Sequence, residues 1–247
     1  MAARFRKFFR AQAKRVLAEF DRTPASAWGK SIKAAPKVPV NLIFDAKGEA
    51  VRIHSAIVSD IQRVLSAGIG QTIGELAWDD SAFGVSDPAC AAWLRDEKGT
   101  AYWAGADAPN ATTVKRLHRT LAEGMETGES LAALRARITG VFDAAKGARA
   151  ATIAITEVGG AYEAGGHLTS TAFTGDTGAK VEKHWDAARD SGTRETHAAA
   201  GAANGWIPED RAFFVGGASL MYPGDPSGPA SETVNCRCTV GRRVKRR

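Results

Sequence analysis

The sequence predicts an α+β fold: a mainly helical N-terminal body followed by a small α+β C-terminal module. Three observations carry that expectation. Apolar residues recur at helical spacing in successive segments from Phe5 to Tyr162. After Gly165 this alanine-rich texture gives way to a passage dense in Gly, Pro, Ser and Thr. The last quarter, Lys183 to Val240, then holds an unusual polar set and two of the chain's 3 cysteines.

Composition sets the bounds. A chain of 247 residues, 44% hydrophobic and 24% charged, has room for one large or two small domains with real cores. No apolar run approaches the roughly eighteen residues of a membrane span, so no membrane partner is expected. The N-terminus, MAARFRKFFRAQAKRVLAEF, is basic but lacks the apolar stretch and small-residue cleavage site of a secretory signal. An odd number of cysteines, with Cys236 and Cys238 too close for an ordinary mutual disulfide, argues against a disulfide framework.

Taken in order, residues 3–22 read as an amphipathic helix with Phe5, Phe8 or Phe9, Val16, Leu17 and Phe20 on one side and basic residues on the other. Pro24, Gly29, Pro36 and Pro39 break helices, so 23–40 reads as a linker. Val40–Phe44 reads as a short strand or extended segment. Ile53, Ile57, Ile61, Val64 and Leu65 mark a strong helix expected to end near Gly68 and Gly70. Asp87-Pro88 starts a short helix through Trp93, with Cys90 inside it as a small buried residue. Asn110 to Thr113 offers caps for a helix carrying Leu117, Leu121 and Met125. After a break at Gly124–Gly128 the next helix carries Leu134, Ile138 and Phe142. Residues 147–165 form a further helix holding Thr156 and Glu157. Beyond it come a loop or hairpin, a strand at Val181–Trp185, a short helix at Asp190–Ala200, and a final strand at Thr233–Val240. The domains are therefore 1–45 (basic helix and Pro/Gly-containing linker), 46–165 (helical body), 166–241 (α+β module) and 242–247 (basic tail).

The chemistry concentrates in the module. On a helix, Asp190, Arg194 and His197 would share one face. Cys236 and Cys238 could supply thiolates and His197 an imidazole to one structural zinc, with Asp190 or His184 as fourth ligand. Alternatively His197, Arg194 and Asp190 form a hydrogen-bonded network beside packed cysteines. A different class of function, a metal-dependent nuclease or other hydrolase, would assemble His184, Asp186, Asp190 and His197 near the thiols. No HExxH, Walker, GxGxxG or GxSxG motif supports catalysis. Both ends are basic, through Arg4, Arg6, Lys7, Arg10, Lys14 and Arg15 and through Arg242, Arg243, Lys245 and Arg246. These ends suit salt-sensitive contact with DNA and read no sequence.

The motifs also carry a resemblance. Trp185, the Asp190-x-x-x-Arg194-x-x-His197 segment, the MYPGD turn from Met221 and the terminal NCRCTV, with Asn235 and Arg237, resemble the phage head morphogenesis family similar to Mu protein F. The likeness reaches upstream to Thr156-Glu157, Ala161-Tyr162 and Gly165, and covers roughly residues 85–241. The family usually has Arg before the Thr-Glu pair, where this chain has Ile155. The resemblance implies a minor head protein of a tailed phage or prophage, non-enzymatic and present in few copies. Its implied partners are the portal and the major capsid or scaffold protein, with DNA contact through the basic ends. Its implied place is the virion, at the head interior or portal vertex, after assembly in the bacterial host cytoplasm. Relatives are often longer or joined to a portal protein, so the chain is expected to be a short version or one piece of a split gene.

Overall fold

A computed structural model describes residues 1–28, 38–79, 83–94 and 107–245. Gly29, Pro36 and Arg246, named above as linker and tail residues, lie outside the described residues. The fold is α+β, and its contacts divide it into two units that interleave in sequence. One unit is Met1–Ile57 with Thr100–Ala151; the other is Val58–Gly99 with Thr152–Arg247.

The first unit is helical. Helix α1 (Ala2–Arg22) buries Phe5, Val16 and Phe20 as its periodicity predicts, takes in both Phe8 and Phe9 together with Gln12, and leaves Leu17 half-buried. α2 (Val40–Ile43) is a single helical turn, where a strand or extended segment was expected. Val40 and Ile43, one turn apart, both reach the core. α5 (Asp107–Glu126) and α6 (Leu131–Ala144) contribute Leu117, Leu121, Met125, Leu134, Ile138 and Phe142 to the same core. Ser130 caps α6 by accepting the Ala133 N–H. Asn110 lies inside α5 rather than at its cap. It is buried, and its side-chain oxygen accepts from Gln12.

The second unit sets helices against two small sheets. α3 (Ala46–Leu76) contributes its C-terminal half and α7 (Ala150–Thr177) nearly all its length. Both run past the glycines expected to stop them. A Cβ on Gly68 would lie 2.0 Å from the Tyr162 carbonyl oxygen, and one on Gly165 2.4 Å from that of Leu65. These glycines mark where two helix backbones cross, not where helices end. The segment after Gly165, expected as a loop or hairpin, is helical to Thr177. Its hydroxyls bond back one turn, Thr169 to Gly165, Ser170 to Gly166 and Thr174 to Ser170.

Strand β1 (Val181–Asp186) is central in a three-stranded antiparallel sheet, between β2 (Trp206–Pro208) and β5 (Thr239–Val244). α8 (Glu195–Asn204) packs on β1 where a Cβ on Gly201 would come within 2.5 Å of the Trp185 oxygen. β3 (Phe213–Val215) and β4 (Ala218–Leu220) pair as a hairpin through Gly216 and Gly217. α4 (Pro88–Trp93) is capped by Asp87 as predicted, and buries Cys90 completely. The final strand begins later than expected. Residues 230–233 form a helical turn, α9 (Ala230–Thr233), and β5 takes in Arg242 and Arg243, which had been read as tail.

Candidate functional site

The Cys-X-Cys segment is irregular backbone held from three sides. Asn235 adopts φ 59°, a left-handed conformation that asparagine tolerates. Its N–H donates to Thr156 Oγ1 of α7 at 2.8 Å, and the Thr156 hydroxyl donates to the Thr152 carbonyl. Arg194 donates to the Val234 carbonyl at 2.6 Å. The third hold is chemical. His197 Nδ1 lies 3.5 Å from Cys236 Sγ and 3.5 Å from Cys238 Sγ. His197, Cys236 and Cys238 are all buried, and their ligand atoms lie within 4.8 Å of one another. Among the described residues they form the one such cluster of potential metal ligands.

The other ring nitrogen of His197 meets Glu232. Nε2 lies 3.1 Å from Glu232 Oε2, and that oxygen also accepts from Thr196 Oγ1 at 3.1 Å. Glu232 is placed to orient the imidazole through Nε2, with Nδ1 facing the sulfurs. Gly216, at φ 58°, gives the carboxylate its space: a Cβ there would meet Glu232 at 2.7 Å. The sequence reading missed Glu232. Its signal is only that it lies four residues before Cys236, and a glutamate between Ser and Thr usually reads as solvated surface. The indole of Trp185 packs edge-on to His197, with centroids 5.3 Å apart, and also against Phe213. Of the two thiols, Cys238 is held low, first by a hydrogen bond from Cys236 and then by His197 and the Ala188 N–H, all against desolvation. Cys236 is held high by the same bond and by burial.

Several expected site residues stand elsewhere. Asp190 precedes α8 in a turn, so it shares no helical face with Arg194 and His197. It accepts from Gly192, Thr193 and Arg237, the last at 2.6 Å, and is not a ligand candidate. Its carboxyl lies low through these bonds and the Arg237 charge, against desolvation. His184 points to the other face of β1, with Nδ1 3.0 Å from Asp186 Oδ1 and its ring over Trp206. The groups a hydrolase would need are thus divided between a buried cluster and separate surface pairs. Glu157 follows Thr156 on α7, and burial pushes its carboxyl up to about 7. Burial and Asp87 push the Cys90 thiol up to about 11.

The basic ends part company. On α1, Arg4, Arg6, Lys7, Arg10 and Lys14 are exposed, while Arg15 pairs with buried Glu49 at 2.6 Å. At the other end Arg242 is buried, 3.8 Å from Glu163 and 3.6 Å from Glu209, and is withdrawn as a DNA contact. Arg243 and Lys245 both pair with Glu182, and Arg243 lies 4.0 Å over Trp206. The MYPGD turn is architectural. Asp225 accepts the Met221 N–H at 2.8 Å, and the Tyr222 hydroxyl accepts from Trp93 at 3.1 Å.

Residues 115–241, about half of the chain, match the family model described as Phage Mu protein F like protein. No curated protein and no solved structure matches the chain.

Proposed function

The chain belongs to the Phage Mu protein F like family, and from that premise we propose that it is a minor head protein of a tailed phage or prophage, acting non-enzymatically in head morphogenesis. The family match carries this reading. It spans α5 to β5 and takes in Thr156, Trp185, His197, Asn235, Cys236 and Cys238. These residues serve the interior: they hold an irregular segment so that β5 can pair along the whole of β1. A module whose polar motif is spent on its own rigidity is suited to docking. The partners proposed are the portal and the major capsid or scaffold protein, and the place is the virion. Phe214 on β3, 66% exposed, is an apolar side chain available to a protein partner.

DNA contact is proposed for α1 alone. Arg6, Lys7, Arg10 and Lys14 are exposed on the helix that buries Phe5, Phe9 and Val16. They read no bases and give salt-dependent affinity.

The test is genetic and physical. A phage carrying a nonsense codon early in this reading frame is expected to make few normal heads, and the chain is expected in purified parental virions by mass spectrometry. Normal yields of infectious particles from the nonsense mutant would overturn the proposal.

A further inference from the structure

We propose that His197 Nδ1, Cys236 Sγ and Cys238 Sγ bind one zinc ion as a structural centre in the second unit. This inference does not depend on the head-assembly reading.

The geometry points to it. Zinc bonds thiolate sulfur at about 2.3 Å and imidazole nitrogen at about 2.0–2.1 Å, tetrahedrally. Those lengths and a tetrahedral angle put sulfur and nitrogen about 3.5–3.6 Å apart. Both Sγ–Nδ1 separations are 3.5 Å. His197 Nδ1 stands at equal distance from both sulfurs, an arrangement in which one cation accepts all three donors.

The surroundings suit a metal of this class. Glu232 supplies the carboxylate behind a ligating histidine that orients the ring and raises its basicity. The donor set of two sulfurs and one nitrogen selects a soft or borderline ion such as zinc over magnesium or calcium. The cluster lies in an apolar core with Trp185, Phe213 and Ala200. Among the described residues no fourth His, Cys or carboxylate joins it. The bond would tie α8 to the segment entering β5 and close the long loop between His197 and Cys236. Such a clip removes freedom from the unfolded chain much as a cross-link does.

The experiment is metal analysis of the purified full-length chain, followed by replacement of the bound ion with Co²⁺. About one zinc per chain is expected, and the Co²⁺ form should show thiolate-to-cobalt charge transfer with the intense visible bands of a tetrahedral site. Cys90→Ser should keep both, and the double variant Cys236→Ser/Cys238→Ser should lose both. Should the double variant fail to fold, Glu232→Gln provides the second arm: bound metal with affinity lowered about 10–100-fold. Three results would each overturn the proposal. They are a parental chain that folds without metal and gives no cobalt–thiolate spectrum, zinc retained by a folded double variant, and charge transfer lost in Cys90→Ser.

Discussion

Thr156→Val tests whether α7 is fastened to the Cys-X-Cys segment by a single hydroxyl. Valine keeps the branched shape and removes the oxygen. In the parent that oxygen accepts the Asn235 N–H at 2.8 Å, and its proton goes to the Thr152 carbonyl at 2.9 Å. The second bond is local, and its carbonyl already serves the helix, so little is lost there. The first joins residues 79 positions apart, and its donor belongs to a backbone in the left-handed region. An ordinary net hydrogen bond contributes about 0.5–1.5 kcal/mol, and a buried donor left without a partner costs about 1–3 kcal/mol. Asn235 is half-buried, so water recovers part of that penalty, and about 1–2 kcal/mol is the expected loss. For a domain of this size each kcal/mol moves the melting temperature by about 2–4 °C. Thr156→Val should therefore melt roughly 2–8 °C lower, with faster hydrogen exchange at the Asn235 amide. Thr156→Ser keeps the oxygen and should stay near the parent. Parental stability in Thr156→Val, or equal losses in the two variants, would refute the reasoning.

Two further outcomes are expected. Replacing Arg6, Lys7, Arg10 and Lys14 together by Gln should lower the slope of log K for DNA against log salt by as much as about 3–4; an unchanged slope would remove α1 as the DNA face. This charge variant is preferable to deleting the helix, since deletion would take Val16 and Phe20 out of the core. The second outcome concerns pH. Burial pushes the Glu163 carboxyl up from 4.5 to about 8, against the pull of Arg242 and the Val240 N–H. An acid whose folded value is raised contributes stability that is present below its unfolded value and lost as pH rises through the folded one. Parental melting temperature should therefore carry a falling component between about pH 4.5 and pH 8. Glu163→Gln should remove that component, and identical pH profiles for parent and variant would exclude it.

Helices and module were legible because they follow local period and composition. Phe5 to Phe20, Leu117 to Met125 and Leu134 to Phe142 announce buried faces through spacing alone. What misled was local reading of residues whose roles are long-range. Gly68 and Gly165 look like helix stops, yet each serves the backbone of a distant helix. Arg242 looks like part of a basic tail, but it ends among Glu163 and Glu209, about eighty and thirty residues back in the chain. Asp190, four residues from Arg194, suggested a shared helical face. The turn before α8 sends it to Arg237 instead. His197, Cys236 and Cys238 were found because their residue types are scarce in this chain. Glu232 was missed because its type is common and its partner lies 35 residues away.

The placement of the motif residues ties a short irregular stretch to the pairing of β5. β5 meets β1 along its full length, from Val181 opposite Val244 to Asp186 opposite Thr239. In an antiparallel pair, slipping by one residue would turn the inward set outward. Here that would expose Val240 and Arg242, both now buried, and uncover the partners of Glu163 and Glu209. Val240 and Arg242 favour this register from within β5. The segment just upstream adds to them, where Thr156 holds Asn235, Arg194 holds Val234, and His197 meets both cysteines. Arg237, between the thiols, faces outward to Asp190 and leaves both sulfurs on the inner side. The motif thus acts as a register pin, and loosening it should unsettle β5 before it disturbs the helices of the first unit.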